Sequence, residues 1–240
     1  PRPDSHGETP PANSLTHSLA MATRGATLCV AAAAVVLVLV LALCAVGIGA
    51  SPAGAGCRKH VRRVTDYGAV GDGRTLNTAA FARAVADLSR CAGDGGAALV
   101  VPKGRWLTGP FNLTSHFTLF LRHGAEILAS QDLNDWPLID PLPSYGRGRD
   151  EPGPRYSNFI GGSNLTDVII SGQNGTINGQ GQVWWDKYHA KELTYTRGYL
   201  LELLYSRDII ISNVTFVDAP SWNLHPTYCK YELISTHTQS

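Results

Sequence analysis

Asn164-Leu165-Thr166-Asp167-Val168-Ile169-Ile170-Ser171 is echoed by Ser206-Arg207-Asp208-Ile209-Ile210-Ile211-Ser212, and Lys230-Tyr231-Glu232-Leu233-Ile234-Ser235 opens a third version. The last two copies lie one solenoid turn apart, in the range of roughly 20–30 residues expected when each repeat is one coil of a stack. Short β-branched runs that end in Asn or Gly suit a parallel β-helix, where the chain turns sharply at each corner. Each strand then pairs with its own copy one coil above, and inward side chains form continuous apolar columns. An antiparallel sandwich also uses many short strands, but it calls for hairpin turns rather than strand copies. The stack of coils is therefore the expected fold, and the sandwich ranks second.

Working outward, further short runs fit the same scheme: Ala98 to Val101, Phe117 to Leu121, Val168 to Ile170, Ile209 to Ile211, Val214 to Phe216 and Leu233 to Ile234. Val64 to Tyr67 reads as a short strand that the glycines at 68, 71 and 73 interrupt. A helix follows. Asn77 or Thr78 can cap it, and Phe81, Val85 and Leu88 recur at helical spacing with Ala80 and Ala84 on the same face. In a solenoid this helix would cover the open end, which otherwise presents unpaired strand edges and exposed core. A second, shorter helical piece is expected around Trp184 to Lys191. Composition agrees with a turn-rich β protein: 25 Gly, 14 Pro, a single Met and only 16% charged residues. The net charge of +1 argues against a broad nucleic-acid surface.

Several motifs are excluded on chemical grounds. Gly68-Ala69-Val70-Gly71-Asp72-Gly73-Arg74-Thr75 resembles a phosphate-binding loop, but Arg74 stands where a compact Lys ammonium is needed. Glycines for a tight strand-to-helix turn explain it better. The Gly-x-Gly-x-x-Gly dinucleotide pattern and the Gly-x-Ser-x-Gly serine elbow do not occur. His225, Cys229 and His237 lack the paired spacing of a metal site, so no metal and no cofactor are expected. Aromatic and polar residues gather in two places, Gly179 to Trp185 and Trp222-Asn223-Leu224-His225-Pro226. Aromatic faces beside amide and imidazole groups suit pyranose rings, which offer apolar C–H faces and hydroxyls together. A tryptophan in a β protein is nonetheless more often core than ligand platform.

The N-terminal region reads as targeting sequence. Residues 28–50 are uncharged and rich in Ala, Val and Leu, with Arg24 before them and Ala53-Gly54-Ala55 after them. Residues 1–27 form a leader, in which Met21 is the expected start of synthesis. The apolar run is longer than an ordinary signal peptide and close to a membrane span. Cleavage near Ala55 is favoured over retention as an anchor, because Arg58, Lys59, Arg62 and Arg63 oppose the positive-inside orientation. A membrane is expected as a partner only if this run is kept. Four sequons, at Asn112, Asn164, Asn174 and Asn213, agree with passage through the secretory lumen and N-glycosylation there. Outside the apolar run stand Cys57, Cys91 and Cys229, an odd number that leaves one thiol without a partner.

Asp66-Tyr67-Gly68-Ala69-Val70-Gly71-Asp72-Gly73, Gly175-Thr176-Ile177-Asn178-Gly179-Gln180-Gly181 with Trp184-Trp185, and Ser221-Trp222-Asn223-Leu224-His225-Pro226 carry a resemblance to the plant polygalacturonases. Val101-Pro102-Lys103-Gly104 and Leu119 to Leu128 support it, and the likeness spans roughly residues 61–229. The resemblance implies a right-handed parallel β-helix over residues 61–240, a cleft for polygalacturonate, a monomer secreted to the cell wall and inverting hydrolysis. Inversion needs one acid on the leaving oxygen and carboxylates opposite to activate water. Members of that family carry these groups in Asn-Thr-Asp, Asp-Asp, Gly-His-Gly and Arg-Ile-Lys segments. None of the four occurs in this sequence, so no catalytic residue transfers and an incomplete β-helix, inactive by itself, is expected. A non-catalytic polysaccharide binder and an inactive fragment are the alternatives. Trp222, Asn223 and His225 remain as cleft candidates, with a packed turn as the competing role. Asn178 departs from the Asp that relatives often carry.

Overall fold

The computed structural model describes residues 58–142, 151 and 153–239; the leader, the apolar run at 28–50 and Cys57 lie outside the described residues. Three strand faces recur in a fixed order along the chain. The first face holds β1 (His60–Arg63), β2 (Ala97–Val101), β5 (Phe117–Leu121) and the leading parts of β10 (Thr166–Asn178), β12 (Arg207–Val217) and β14 (Lys230–Gln239). The second holds β3 (Gly104–Thr108), β6 (Ala125–Ala129) and the trailing parts of the same three long strands. The third holds β4 (Phe111–Asn112), β9 (Ile160–Ser163), β11 (Leu201–Leu204) and β13 (Leu224–Thr227). All these pairings are parallel. Among the described residues the single antiparallel pair joins β7 (Leu138–Ile139) to β8 (Arg155–Tyr156), in the connection between β6 and β9. The sandwich is thereby ruled out.

The repeats read from sequence are the first face. Val168, Ile169 and Ile170 pair with Ile209, Ile210 and Ile211, and those with Glu232, Leu233 and Ile234, in register. Inward positions then line up as columns. Leu99, Leu119, Ile170 and Ile211 form one, and Trp106, Ile127, Ile177 and Phe216 another. These eight side chains are at most 3% exposed, and each contributes about 1.5–3 kcal/mol by leaving water. What appeared as separate runs at 209–211 and 214–216 is one strand, bent by a bulge that falls at the same place in β10.

Corners explain the polar punctuation. Asn164, Tyr205 and Tyr228 each follow a third-face strand with φ of 56°, 51° and 57°, and Asn174 and Asn213 turn the first face into the second at 60° and 53°. Asn tolerates this left-handed backbone because its short polar side chain bonds locally. Tyrosine does not, and the two rings recover some of that cost by stacking at 4.9 Å, 11° from parallel.

Helix α1 (Thr78–Ser89) lies across the first coil, touching strands of all three faces and burying Phe81, Ala84, Val85 and Leu88. Phe81 meets the Phe111 ring at 4.9 Å. Asn77 occupies the cap position but spends its side chain elsewhere: its Oδ1 accepts from Val70 N, and its Nδ2 donates to Val70, Thr75 and Leu107 carbonyls. The Val64 to Tyr67 strand is a correction. The strand is His60–Arg63, and Val64–Tyr67 is a 3-10 turn, held by Asp66 Oδ2 accepting from Arg63 N at 2.8 Å and closed by Gly68 at φ 81°. In the following loop Asp72 accepts from the amides of Arg74 and Thr75, both at 2.8 Å, placing a carboxylate where a phosphate would have to sit.

Candidate functional site

Helix α2 (Gln182–His189) and the β7–β8 pair both leave the stack between the second and third faces, so the added structure borders the third face. On that face strand alternation sends Leu201 and Leu203 into the core and Glu202 outward. Register places Glu202 level with Gly161 on one side and His225 on the other, and Gly161 level with Asn112. Asn112, Glu202 and His225 therefore share one row across four coils, with Gly161 between the first two.

Glu202 is the centre of this row and is 1% exposed. Arg155 Nη2 donates to its Oε2 at 2.6 Å, the Asn158 amide donates to the same oxygen, and His225 Nδ1 lies 2.8 Å from Oε1. Arg155 Nη1 also donates to Asn158 Oδ1 at 3.1 Å, and Asn158 Oδ1 accepts from Tyr199 N. Burial alone would push the Glu202 carboxyl up. The hydrogen bonds from His225 and Arg155, the Arg155 charge and the Asn158 amide outweigh it, and the net direction is down. Glu202 is thus held ionised with both oxygens engaged, which disqualifies it as a general acid, whose pKa must be raised.

Aromatic rings cover this polar row. Tyr199 lies against His225 at 4.2 Å, Trp222 meets His225 edge-on at 5.7 Å, and Trp222 is 59% exposed. The three candidates from the sequence therefore separate. Trp222 presents a ring to solvent, and His225 is buried support beneath it. Asn223 belongs to a different hollow of about 360 Å³, shared with Gln182, Trp185, His189 and Asp218, where its Oδ1 is buried without a partner. The other aromatic cluster divides as well. Trp184 is fully buried against Trp136 and Tyr156, so it is core. Trp185 donates to Ala219 O and stacks on Arg197, which is clamped between it and Tyr188 at 4.1 and 3.9 Å. Asn178 donates to Glu126 Oε1 at 3.0 Å, a bond that an Asp there would replace with repulsion.

Sequence reading missed Arg155, Asn158, Tyr199 and Glu202. A lone acid inside Leu200-Leu201-Glu202-Leu203-Leu204 was the available signal, because a charge in an apolar strand must find partners. The sequon residues Asn112, Asn164, Asn174 and Asn213 are all exposed.

The site is a polar, aromatic-edged row along one face of a parallel β-helix. Comparison with known proteins specifies the class. Residues 91–238 match the glycosyl hydrolases family 28, and the chain belongs to that family. It is 60% identical over 178 residues to a Vitis vinifera protein described as "Probable polygalacturonase", covering 74% of this chain and 36% of that one. A Zea mays exopolygalacturonase is 26% identical, with 71% and 38% covered. The chain thus spans little more than a third of these relatives' length. Among solved structures, an exopolygalacturonase from Thermotoga maritima superposes with a TM-score of 0.64 at 22% identity, covering 78% of this chain and 48% of that one. A family 28 exopolygalacturonase from Yersinia enterocolitica gives 0.62 at 18% identity, with 75% and 39% covered. The fold is the parallel β-helix expected from the repeats, right-handed as the resemblance implied.

Proposed function

We propose that this chain forms the leading coils of a polygalacturonan-hydrolysing enzyme and carries part of its substrate trough on the third face. The observation that carries the reading is the exposed Trp222 ring set beside Tyr199 and His225, with Glu202 buried under them. An aromatic face over fixed hydrogen-bonding groups suits a pyranose ring. Family membership and the names of the relatives make the α-1,4-linked galacturonan of pectin the favoured substrate. Hydrolysis is assigned to acids that these 240 residues do not contain, since the Asn-Thr-Asp and Asp-Asp segments are absent and Glu202 is committed to its partners.

Passage through the secretory pathway to the cell wall is part of the same proposal. The apolar run at 28–50 and the exposure of all four sequon asparagines support it. Mobility before and after removal of N-glycans, on protein recovered from the medium of secreting cells, checks this part.

The functional test is paired. The full chain is expected to bind oligogalacturonate, to lose about fivefold or more in affinity on Trp222→Ala if a sugar ring stacks as strongly as a base does, about 1–3 kcal/mol, and to release no reducing ends. Failure to bind any oligogalacturonate overturns the reading, and release of reducing ends overturns the assignment of the acids. A non-catalytic wall-polysaccharide binder is the second reading. It is favoured by the same engaged Glu202, and extending the coding sequence to see whether an acid pair follows in frame separates the two.

A further inference from the structure

At the corner that leads from the third face to the first, two tyrosines stand stacked and exposed beside a sequon. Ser163, Leu204 and Thr227 are paired across three coils, so the residues that follow them, Asn164, Tyr205 and Tyr228, occupy successive rungs. All three adopt the left-handed backbone, with φ of 56°, 51° and 57°, and their side chains leave the corner in one direction. The Tyr205 and Tyr228 rings lie 4.9 Å apart and 11° from parallel. That separation is about the 4.7–4.9 Å between hydrogen-bonded strands, so each ring lies flat on its own rung. Tyr228 covers one face of Tyr205, and the other face points at the rung of Asn164. Tyr205 is still 50% exposed with that first face covered. A bulky residue held at positive φ stores strain, which directs attention to what the position gains. Asn164 is exposed and opens the sequon Asn164-Leu165-Thr166, whose Leu165 is buried in the core. The other sequons have different neighbours. Asn112 is level with Gly161, and Asn174 and Asn213 directly precede the paired Gly175 and Val214.

We propose that Tyr205 is the platform for an N-linked glycan on Asn164: the first N-acetylglucosamine lays its apolar face on the free face of Tyr205 and extends the Tyr228–Tyr205 stack by one rung. The inference rests on passage through the secretory pathway and goes beyond it by giving one of the four sequons a structural partner. The modification transfers an oligosaccharide from a lipid-linked pyrophosphate donor. A bond forms between Asn164 Nδ2 and C1 of the sugar, the C1–O bond to the pyrophosphate breaks, one amide proton is lost and the pyrophosphate leaves. One N–H stays on the nitrogen and continues to donate to Ser163 Oγ, 3.2 Å away. That bond fixes the direction in which the sugar departs. Asparagine is shorter than tyrosine, so a sugar joined to its amide begins level with the neighbouring ring rather than beyond it. A β-linked N-acetylglucosamine carries only C–H bonds at its axial positions, and these meet the negative π-face of the phenol favourably. The contact shields a ring face that water otherwise covers and offsets part of the backbone strain at Tyr205.

The test uses the full chain secreted from glycosylating cells. Mass spectrometry reads glycan occupancy at each sequon and the rate at which peptide N-glycosidase releases each glycan from the native protein. Wild type is expected to carry a glycan at Asn164 and to release it more slowly than from any other occupied sequon, because the stacked sugar shields the bond that is cut. Tyr205→Asn removes the ring with a residue that tolerates this backbone, and it creates no sequon because Arg207 stands two residues on. Tyr205→Phe keeps the ring. Release at Asn164 is expected to be about fivefold faster in Tyr205→Asn, the factor that about 1 kcal/mol of stacking gives. Tyr205→Phe is expected to keep the wild-type rate, and release elsewhere to stay unchanged in both variants. Urea midpoints confirm that the variants are folded. The platform is overturned by a chain glycosylated at other sequons but not at Asn164, or by wild-type release at Asn164 as fast as at the others. Unchanged release in folded Tyr205→Asn, or equal acceleration at every occupied site, overturns it as well. Absence of glycan at all four sequons instead removes the secretory reading on which the inference rests.

Discussion

Replacing Glu202 by Gln isolates the charge at the centre of the site. The amide keeps the shape of the carboxylate. Its oxygen can still accept from Arg155 and Asn158, and its NH2 can meet His225 Nδ1 in the tautomer that leaves that nitrogen unprotonated. What is lost is the counter-ion of Arg155, which is 4% exposed. Removing one member of a buried ion pair costs about 3–5 kcal/mol, because the remaining charge stays desolvated and uncompensated. For a domain of this size each kcal/mol moves Tm by about 2–4 °C, so the expected fall is about 6–20 °C. Urea unfolding followed by tryptophan fluorescence reads the same loss as a shift in midpoint. The double variant Arg155→Leu with Glu202→Leu removes both charges and is expected to recover more than half of it, since apolar replacements of buried pairs are often nearly neutral. A Glu202→Gln protein within about 1 kcal/mol of wild type would refute the claim that this pair is buried and coupled.

Three further outcomes follow from the same geometry. Because the Glu202 carboxyl is held below its ordinary 4.5, its contribution is complete above that pH and declines as pH falls through the lower folded value; urea midpoints between pH 6 and pH 3 should drop in wild type and drop less in Glu202→Gln. Gly198→Ala should destabilise by about 1–3 kcal/mol, since the added Cβ meets the backbone oxygen of Ser157, and thermal melts of the variant check it. Arg197→Leu should loosen α2 by about 1–3 kcal/mol through loss of the clamp between Trp185 and Tyr188, seen as faster amide exchange in residues 182–189.

Much of the solenoid was readable because its repeats repeat for a local reason. Val168 to Ile170 and Ile209 to Ile211 occupy equivalent inward and outward positions one coil apart, so similar demands select similar residues. The helix at 78–89 was readable from the spacing of Phe81, Val85 and Leu88. Val64 to Tyr67 misled because its β-branched start suits a strand, whereas the Asp66 side chain and Gly68 close a turn that only hydrogen-bond geometry reveals. The site was half visible. Aromatic and imidazole residues at 222–225 stood out as a cluster, but Trp184 looked the same in sequence and lies in the core.

Sequence alone determined that the chain coils and that one of its coils carries Trp222 and His225, because those properties depend on side chains near one another along the chain. Tertiary structure decided that Arg155, Glu202 and His225 form one buried network, although Arg155 and Glu202 are 47 residues apart and Glu202 and His225 are 23 apart. Parallel stacking makes that difference. It brings residues of successive coils to adjacent rungs regardless of how much chain the intervening corner inserts, and the inserted length is not encoded in either residue that it brings together.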